Sequence, residues 1–371
     1  MTRSLQIGLL AASLLLPSLA TAQDDPPELT GSVPFNVTSK SGRLERLAVT
    51  IGDGGTGPYN AVLWGEPTLP THAIYRPRDL RPFGGQNLLP IVAFGNGGCR
   101  NTSGEFRNFL SEIASQGFLV VAIGPAGNAV VMGSEERQNM TAASQLLDGV
   151  TWAIAENSRE GSPYFHKLDV TKIAVSGQSC GSQQAIQVSG DPRVTTTVAL
   201  SQGINMGPPP AGRGGAPAAA PNAGAGRGAA AGGRGGASDQ RYAPFAPLLV
   251  RSPDDPNGRG GGGGRGNAAE ILAKIHAPII FITGGDSDHG HPSASQNYEA
   301  INQVPAVHIW QQVGHYPATY REPNGGAFAQ AAGAWLKWQL KGDKTAAKMF
   351  LGADCGLCKD AKWTVERKNL N

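Results

Sequence analysis

Long apolar runs are almost absent from this sequence. Beyond residue 22, no segment approaches the roughly 20 consecutive apolar residues that a membrane-spanning helix requires, which argues against a membrane span. The N-terminus reads MTRSLQIGLLAASLLLPSLATA, in which Arg3 precedes a short apolar run and an A-x-A cleavage motif ends at Ala22. This pattern predicts a secretory signal peptide over residues 1–22, cleaved after Ala22. The mature protein is therefore expected to be soluble and either secreted or periplasmic.

Core-forming side chains are scarce between residues 207 and 267. Gly, Ala, Pro and Arg dominate the stretches PPPAGRGGAPAAAPNAGAGRGAAAGGRGG and NGRGGGGGRGN, so burial would not offset the entropy of ordering them. The segment holds seven Arg and three Asp, a net charge of +4. The whole chain carries +3, which becomes +2 without Arg3, so the rest of the mature chain is at about −2. The positive charge therefore belongs to this segment and does not indicate a basic binding face on the folded body.

An Arg/Gly tract of this kind in a cytosolic protein would favour RNA binding. Here the tract lacks interleaved aromatic residues and follows a signal peptide. We therefore predict a disordered, flexible surface insertion over about 207–267 and no nucleic-acid partner.

On both sides of the insertion, apolar β-branched runs alternate with segments of helical periodicity. Strands are predicted at 88–95, 118–124, 172–176, 194–201, 278–284 and 306–312, and helices at 103–117, 138–156, 294–303 and 327–340. Such strands, apolar on both faces, are typical of a mostly parallel sheet with helices on both faces. Residues 33–87 are predicted to form antiparallel strands and turns. The prediction is one α/β domain over 23–371, interrupted by the insertion.

The stretch KIAVSGQSCGSQQAI (172–186) places a serine between two glycines where a strand leads into a helix. In that context G-x-S-x-G predicts a nucleophile elbow, a tight turn that lifts the Ser179 hydroxyl clear of the sheet. A Cβ at Gly177 or Gly181 would collide with the neighbouring strand and helix.

A nucleophilic serine needs a base and an orienting carboxylate, which in this arrangement follow in the order Ser, Asp, His. GGDSDHGHP follows the strand at 278–284 and offers Asp286 and Asp288. VGHYPATY follows the strand at 306–312 and offers His315. Both loops leave carboxyl ends of strands, at the sheet edge where Ser179 is expected. The sequence therefore predicts a Ser-His-Asp triad in which either aspartate could be the carboxylate.

Cysteines are few, and two of the four lie in the loops expected to form an oxyanion hole. The strand at 88–95 leads into Asn96-Gly97-Gly98-Cys99, and the N–H groups of Gly98 and Cys180 are the predicted oxyanion donors. In an oxidising compartment, Cys99 and Cys180 could form a disulfide or remain two buried thiols. The C-x-x-C at Cys355 and Cys358 is predicted to form a local structural disulfide rather than a redox site.

The D-S-D-H-G-H stretch also raises a metal site formed by Asp286, Asp288, His289 and His291. Successive loop residues point in different directions, and the triad already accounts for one aspartate. We therefore predict no metal and no cofactor. Tyr316, directly after His315, could line the pocket or serve in packing.

The sequence resembles the α/β-hydrolase superfamily, and more narrowly a group of secreted hydrolases related to dienelactone-hydrolase and cutinase-like esterases. The resemblance is carried by motifs spread over most of the mature chain outside the insertion: GTGPYNAVL, LPTHAIYRP, FGNGGCRN, FLSEIASQGF, GQSCG, GGDSD, GHYPATY, PNGGAF, WLKWQLKGD and CGLC. It implies Asp288 as the triad carboxylate and hydrolysis of esters by a serine nucleophile. It implies no particular substrate, because the superfamily supports many chemistries on one scaffold.

The function predicted from these features is a secreted carboxylic-ester hydrolase acting on a small-molecule or polymeric ester. One alternative is an exported peptidase or amidase, which the lack of a propeller or large cap domain disfavours. Another is a non-catalytic binding protein on a hydrolase scaffold, which the complete triad disfavours. The sequence indicates no oligomeric state.

Overall fold

A computed structural model describes residues 54–126, 140–206, 268–316, 320 and 322–370, together with the backbone of two N-terminal strands. These are β1 (Ser32–Thr38) and β2 (Leu44–Thr50), which pair antiparallel in a sheet of their own. The predicted signal peptide and the predicted insertion lie outside the described residues. In the described part of the chain, no helix has the length and apolar character needed to cross a membrane.

One sheet of nine strands organises the described residues. Its strands are β3 (Ala61–Gly65), β4 (His72–Pro77), β5 (Leu89–Gly95), β6 (Leu119–Ile123), β7 (Leu168–Gln178), β8 (Thr196–Leu200), β9 (Ile279–Thr283), β10 (Ala306–Trp310) and β11 (Thr364–Lys368). They lie in the order β11-β10-β9-β8-β7-β5-β6-β4-β3. The six strands from β6 to β10 in this order are parallel, whereas β3, β4 and β11 pair antiparallel with their neighbours. The predicted mostly parallel sheet is thus confirmed, and so are antiparallel strands within residues 33–87.

The helices lie on both faces of this sheet, as predicted. They are α1 (Arg107–Ser115), α2 (Ser144–Ser158), α3 (Cys180–Val188), α4 (Ala268–Ala273), α5 (His291–Ala300), α6 (Gly326–Lys341), α7 (Lys344–Ala347) and α8 (Gly356–Lys359). Successive side chains of a strand point to opposite faces. Accordingly, Val92 and Phe94 of β5 pack in a cluster with α1 and α6, while Ile91 and Ala93 pack in a second cluster with α2.

Strands from the two sides of the predicted insertion pair directly with each other. Val198 of β8 lies opposite Ile280 of β9 in the parallel ladder. Residues from the two sides of the predicted insertion also share a buried apolar cluster, which includes Ile204, Ala268 and Leu272. The loops after β7, β9 and β10 therefore emerge at one edge of a single sheet.

Two buried histidines should make the fold sensitive to acid. His72 lies between the Thr71 hydroxyl and the Gln145 carbonyl, and burial lowers its pKa to about 4. Burial, with the neighbouring His291, lowers the pKa of His308 to about 3. An unfolded histidine titrates at about 6.5. The stability due to the neutral rings is therefore fully present above pH 6.5 and is lost as the pH falls towards each folded pKa.

We expect the free energy of unfolding to fall between pH 7 and pH 4, with His72 contributing about 3 kcal/mol of the loss. A His72→Gln variant removes the titrating group and retains an N–H donor for the Gln145 carbonyl. Urea unfolding of both proteins at the two pH values measures the difference. If the variant loses as much stability as the wild type, His72 is not a source of the acid sensitivity.

Candidate active site

The predicted nucleophile lies in a strained turn between β7 and α3. Ser179 has φ 54° and ψ −116°, a conformation that non-glycine residues rarely adopt. Its N–H donates to the Leu200 carbonyl at 2.8 Å, which anchors the turn to β8. The side chain is thereby held at the end of the strand, where the elbow prediction placed it.

Close backbone approach explains the two glycines that flank this serine. A Cβ on Gly181 would overlap the carbonyl group of Gly95 at the end of β5, and a Cβ on Gly177 would overlap the Gly181 carbonyl. The helix and two strands therefore meet where only glycine fits.

His315 lies in the loop after β10 and reaches the serine directly. Its Nε2 is 2.9 Å from the Ser179 Oγ, and its side chain is only 10% exposed. Its Nδ1 is 2.6 Å from Asp288 Oδ1. Because a carboxylate accepts hydrogen bonds, this network assigns the proton to Nδ1 and leaves Nε2 to accept the serine proton.

Asp288 is completely buried behind the imidazole. Its carboxylate accepts the N–H of Gly284 at 2.8 Å and that of Gly290 at 2.9 Å, in addition to the His315 contact. Burial alone would raise the pKa of Asp288, but these hydrogen bonds outweigh it and hold the pKa below its ordinary value. The carboxylate therefore stays ionised at neutral pH and fixes the orientation of the ring.

The structure distinguishes the two aspartates that the residue pattern had left open. A short 3₁₀ turn at Gly285–Ser287 directs Asp288 inwards to His315. Asp286 is exposed, and its carboxylate instead accepts a hydrogen bond from Gln312 Nε2 at 3.3 Å.

The predicted oxyanion donors lie in the loop after β5 and at the first residue of α3, and a disulfide joins these two segments. Cys99 pairs with Cys180, with their Cα atoms 5.1 Å apart, which resolves the open question of their state. The N–H groups of Cys99 and Gly181 both donate to the Asn96 carbonyl. Within the described residues, the N–H groups of Gly98 and Cys180 have no acceptor, which leaves both available for a developing oxyanion. Cys355 and Cys358 form the second predicted disulfide.

Gln178 is a site residue that sequence reasoning missed. It is fully buried, and its Nε2 donates to the His315 carbonyl at 3.1 Å. Its Oε1 has no hydrogen-bond partner and faces the Cα of Gly97, next to the Tyr316 hydroxyl. Gln178 therefore links the elbow to the histidine loop. Its place in G-x-S-x-G marks its position, but no local pattern indicates its partners.

Tyr316 lies at the rim of the site, so both of its predicted roles have a structural counterpart. It is 43% exposed, and its ring packs edge-on against His315 with the centroids 5.3 Å apart. Its hydroxyl is 3.4 Å from Arg100 Nη1, and Arg100 forms a buried ion pair with Glu105 at 2.7 Å. This ion pair links Arg100, the residue after Cys99, to Glu105 and so stabilises the segment that follows the disulfide.

The D-S-D-H-G-H stretch does not converge as a four-residue metal site. His291 turns away from the triad, and its Nδ1 lies 2.7 Å from the Thr283 hydroxyl. His289 is exposed, and its ring lies over that of His315, with the centroids 3.5 Å apart and a tilt of 35°. The pKa of His289 is lowered mainly by its partial burial and, to a smaller extent, by the electrostatic interaction with His315. The contact between His289 and His315 was not predicted, because it joins two loops that are distant in the sequence.

The chain matches no model of a known protein family, and no curated protein matches it.

Proposed function

We propose that this chain is an exported serine hydrolase of the α/β-hydrolase fold that cleaves carboxylic esters. The observation that carries the proposal is the continuous hydrogen-bonded array of Ser179, His315 and Asp288, with separations of 2.9 and 2.6 Å. Ser179 follows β7, Asp288 follows β9 and His315 follows β10, which is the chain order Ser, Asp, His. The strained turn at Ser179 supports the same assignment.

The proposed reaction begins when Ser179 Oγ attacks the acyl carbon while His315 Nε2 accepts the hydroxyl proton. The carbonyl electron pair moves to oxygen, and the N–H groups of Gly98 and Cys180 stabilise that charge. When the intermediate collapses, the imidazolium protonates the departing alcohol and an acyl-enzyme remains. His315 then takes a proton from water, whose oxygen attacks the acyl carbon, and the acid leaves as Ser179 regains its proton. Throughout, Asp288 stabilises the imidazolium and remains ionised.

The Ser179→Ala variant tests this proposal. We expect its kcat on p-nitrophenyl esters, from acetate to palmitate, to fall by a factor on the order of 10⁶. Ser287→Ala is the matched control, since Ser287 is an exposed serine of the neighbouring loop, and it should retain activity. A fluorophosphonate reagent should label the wild type once, at Ser179, as measured by intact mass.

The pattern of results separates the alternatives. A folded wild type that takes up the label and cleaves only amides would be an exported peptidase or amidase. A folded wild type that neither reacts with the label nor cleaves an ester would overturn the proposal and favour a binding role. The acyl length at which activity is highest would indicate how long an acyl chain the site accommodates.

A further inference from the structure

Next to the triad lies a third titratable side chain, His289, which has no part in the reaction described above. One ligand atom each from Asp288, His289 and His315 lie within 4.8 Å of one another, and the described residues contain no other such group of three. His289 is exposed, which gives an approach from solvent. Neither of its ring nitrogens has a hydrogen-bond partner among the described residues. An uncommitted imidazole is thus held against the catalytic one.

We propose that His289 and His315 form an inhibitory site for a divalent transition-metal ion such as Zn²⁺, with Asp288 available as a third ligand. Imidazole nitrogen and carboxylate oxygen are ordinary Zn²⁺ ligands, bound at about 2.0–2.2 Å. Two nitrogens on one tetrahedral ion lie about 3.3 Å apart. The two rings now lie face to face, and an imidazole lone pair lies in the plane of its ring, so His289 must rotate to direct a nitrogen at an ion held by His315. His289 is exposed, which leaves space for that rotation on the solvent side.

Metal binding at this site and catalysis exclude each other. Both nitrogens of His315 already take part in the triad, Nδ1 with Asp288 and Nε2 with Ser179. A metal ion on either nitrogen replaces one of these hydrogen bonds and removes the base. Inhibition should follow the affinities of imidazole sites, so that Cu²⁺ and Zn²⁺ act while Mg²⁺ does not.

The rest of the D-S-D-H-G-H stretch is directed away from this site. His291 is engaged with the Thr283 hydroxyl, and the Asp286 carboxylate accepts from Gln312. The carboxylate of Asp288 is held in place by the N–H groups of Gly284 and Gly290. His289 is therefore the ligand that can be removed without touching the triad residues themselves.

The test compares the wild type with His289→Phe, which keeps a flat ring over His315 and removes the ligand nitrogens. His166→Asn removes another exposed histidine and is the matched control. Zinc binding is measured by titration calorimetry, and inhibition is scored relative to the zinc-free rate of each protein. We expect EDTA to reverse the inhibition of the wild type. In His289→Phe, both the dissociation constant and the half-inhibiting zinc concentration should rise about tenfold or more.

The inhibition assay rests on the proposed hydrolase function, whereas calorimetry does not. If ester hydrolysis is absent, the loss of zinc binding in His289→Phe would still support the site. The proposal is overturned if His289→Phe binds zinc as tightly as the wild type, or if His166→Asn loses binding to the same extent.

Discussion

Replacing Asp288 with asparagine is expected to lower kcat for ester hydrolysis about 10⁴-fold. An asparagine side chain can donate a hydrogen bond to Nδ1 of His315, which moves the ring proton to Nε2. The imidazole then faces Ser179 with a proton and cannot accept another. A loss of this size would show that the buried carboxylate, rather than mere proximity of the ring, sets the tautomer.

Asp286→Asn is the matched control, because it makes the same chemical change two residues away on an exposed side chain. It should leave kcat close to the wild-type value. The asparagine at position 288 also has one acceptor oxygen for two backbone N–H groups, which is expected to cost about 1–3 kcal/mol of stability. The thermal midpoint of each variant should therefore be measured together with its kcat, so that a loss of stability is not mistaken for a loss of catalysis. A large loss in Asp286→Asn together with an active Asp288→Asn would reverse the assignment.

Removing the Cys99–Cys180 disulfide is expected to lower both activity and stability. The bond spans 81 residues of sequence, and loss of such a constraint should destabilise the fold by about 2–5 kcal/mol. It also ties the loop that carries Gly98 to the first residue of α3. If the Gly98 donor moves out of position, kcat should fall about 10²–10³-fold. The Cys99→Ser, Cys180→Ser double variant, assayed for kcat and thermal midpoint, measures both effects.

The second disulfide supplies the control. Cys355 and Cys358 are separated by 3 residues and lie at α8, a segment that carries no triad residue and no predicted oxyanion donor. Replacing both with serine should cost less stability and leave kcat unchanged. If the Cys99 and Cys180 double variant keeps its kcat within a few-fold while its thermal midpoint falls, the bond serves only the fold and does not position the oxyanion donors.

The parts of the fold that could be predicted are those in which local pattern and burial agree. LPIVAFG and IIFIT are apolar runs followed by polar or glycine-rich loops, and their strands begin and end within a residue or two of the predictions. β11 was missed because TVERK contributes one apolar residue and lies at the edge of the sheet, where its pairing with β10 supplies the structure.

In the candidate site too, the residues that could be predicted are those that a local sequence pattern marks. Ser179 and His315 could be proposed from motifs that follow strands. The choice between Asp286 and Asp288 could not be made from spacing, because it depends on how the 3₁₀ turn directs each side chain. The contacts of Gln178 and of His289 with His315 could not be predicted either. Their partners come from loops more than 20 residues away, and only the assembled sheet edge brings them together.

The apolar cluster that contains both Ile204 and Ala268 has a consequence for protein engineering. The described chain stops at Met206 and resumes at Ala268, and both residues pack in that one cluster, so linkers of different lengths can join the two ends. The entropic contribution to the free energy of closing such a loop becomes less favourable by only about 0.6 kcal/mol for each doubling of its length. We therefore expect a reporter domain or an affinity tag inserted between residues 207 and 267 to leave the pairing of β8 with β9 intact.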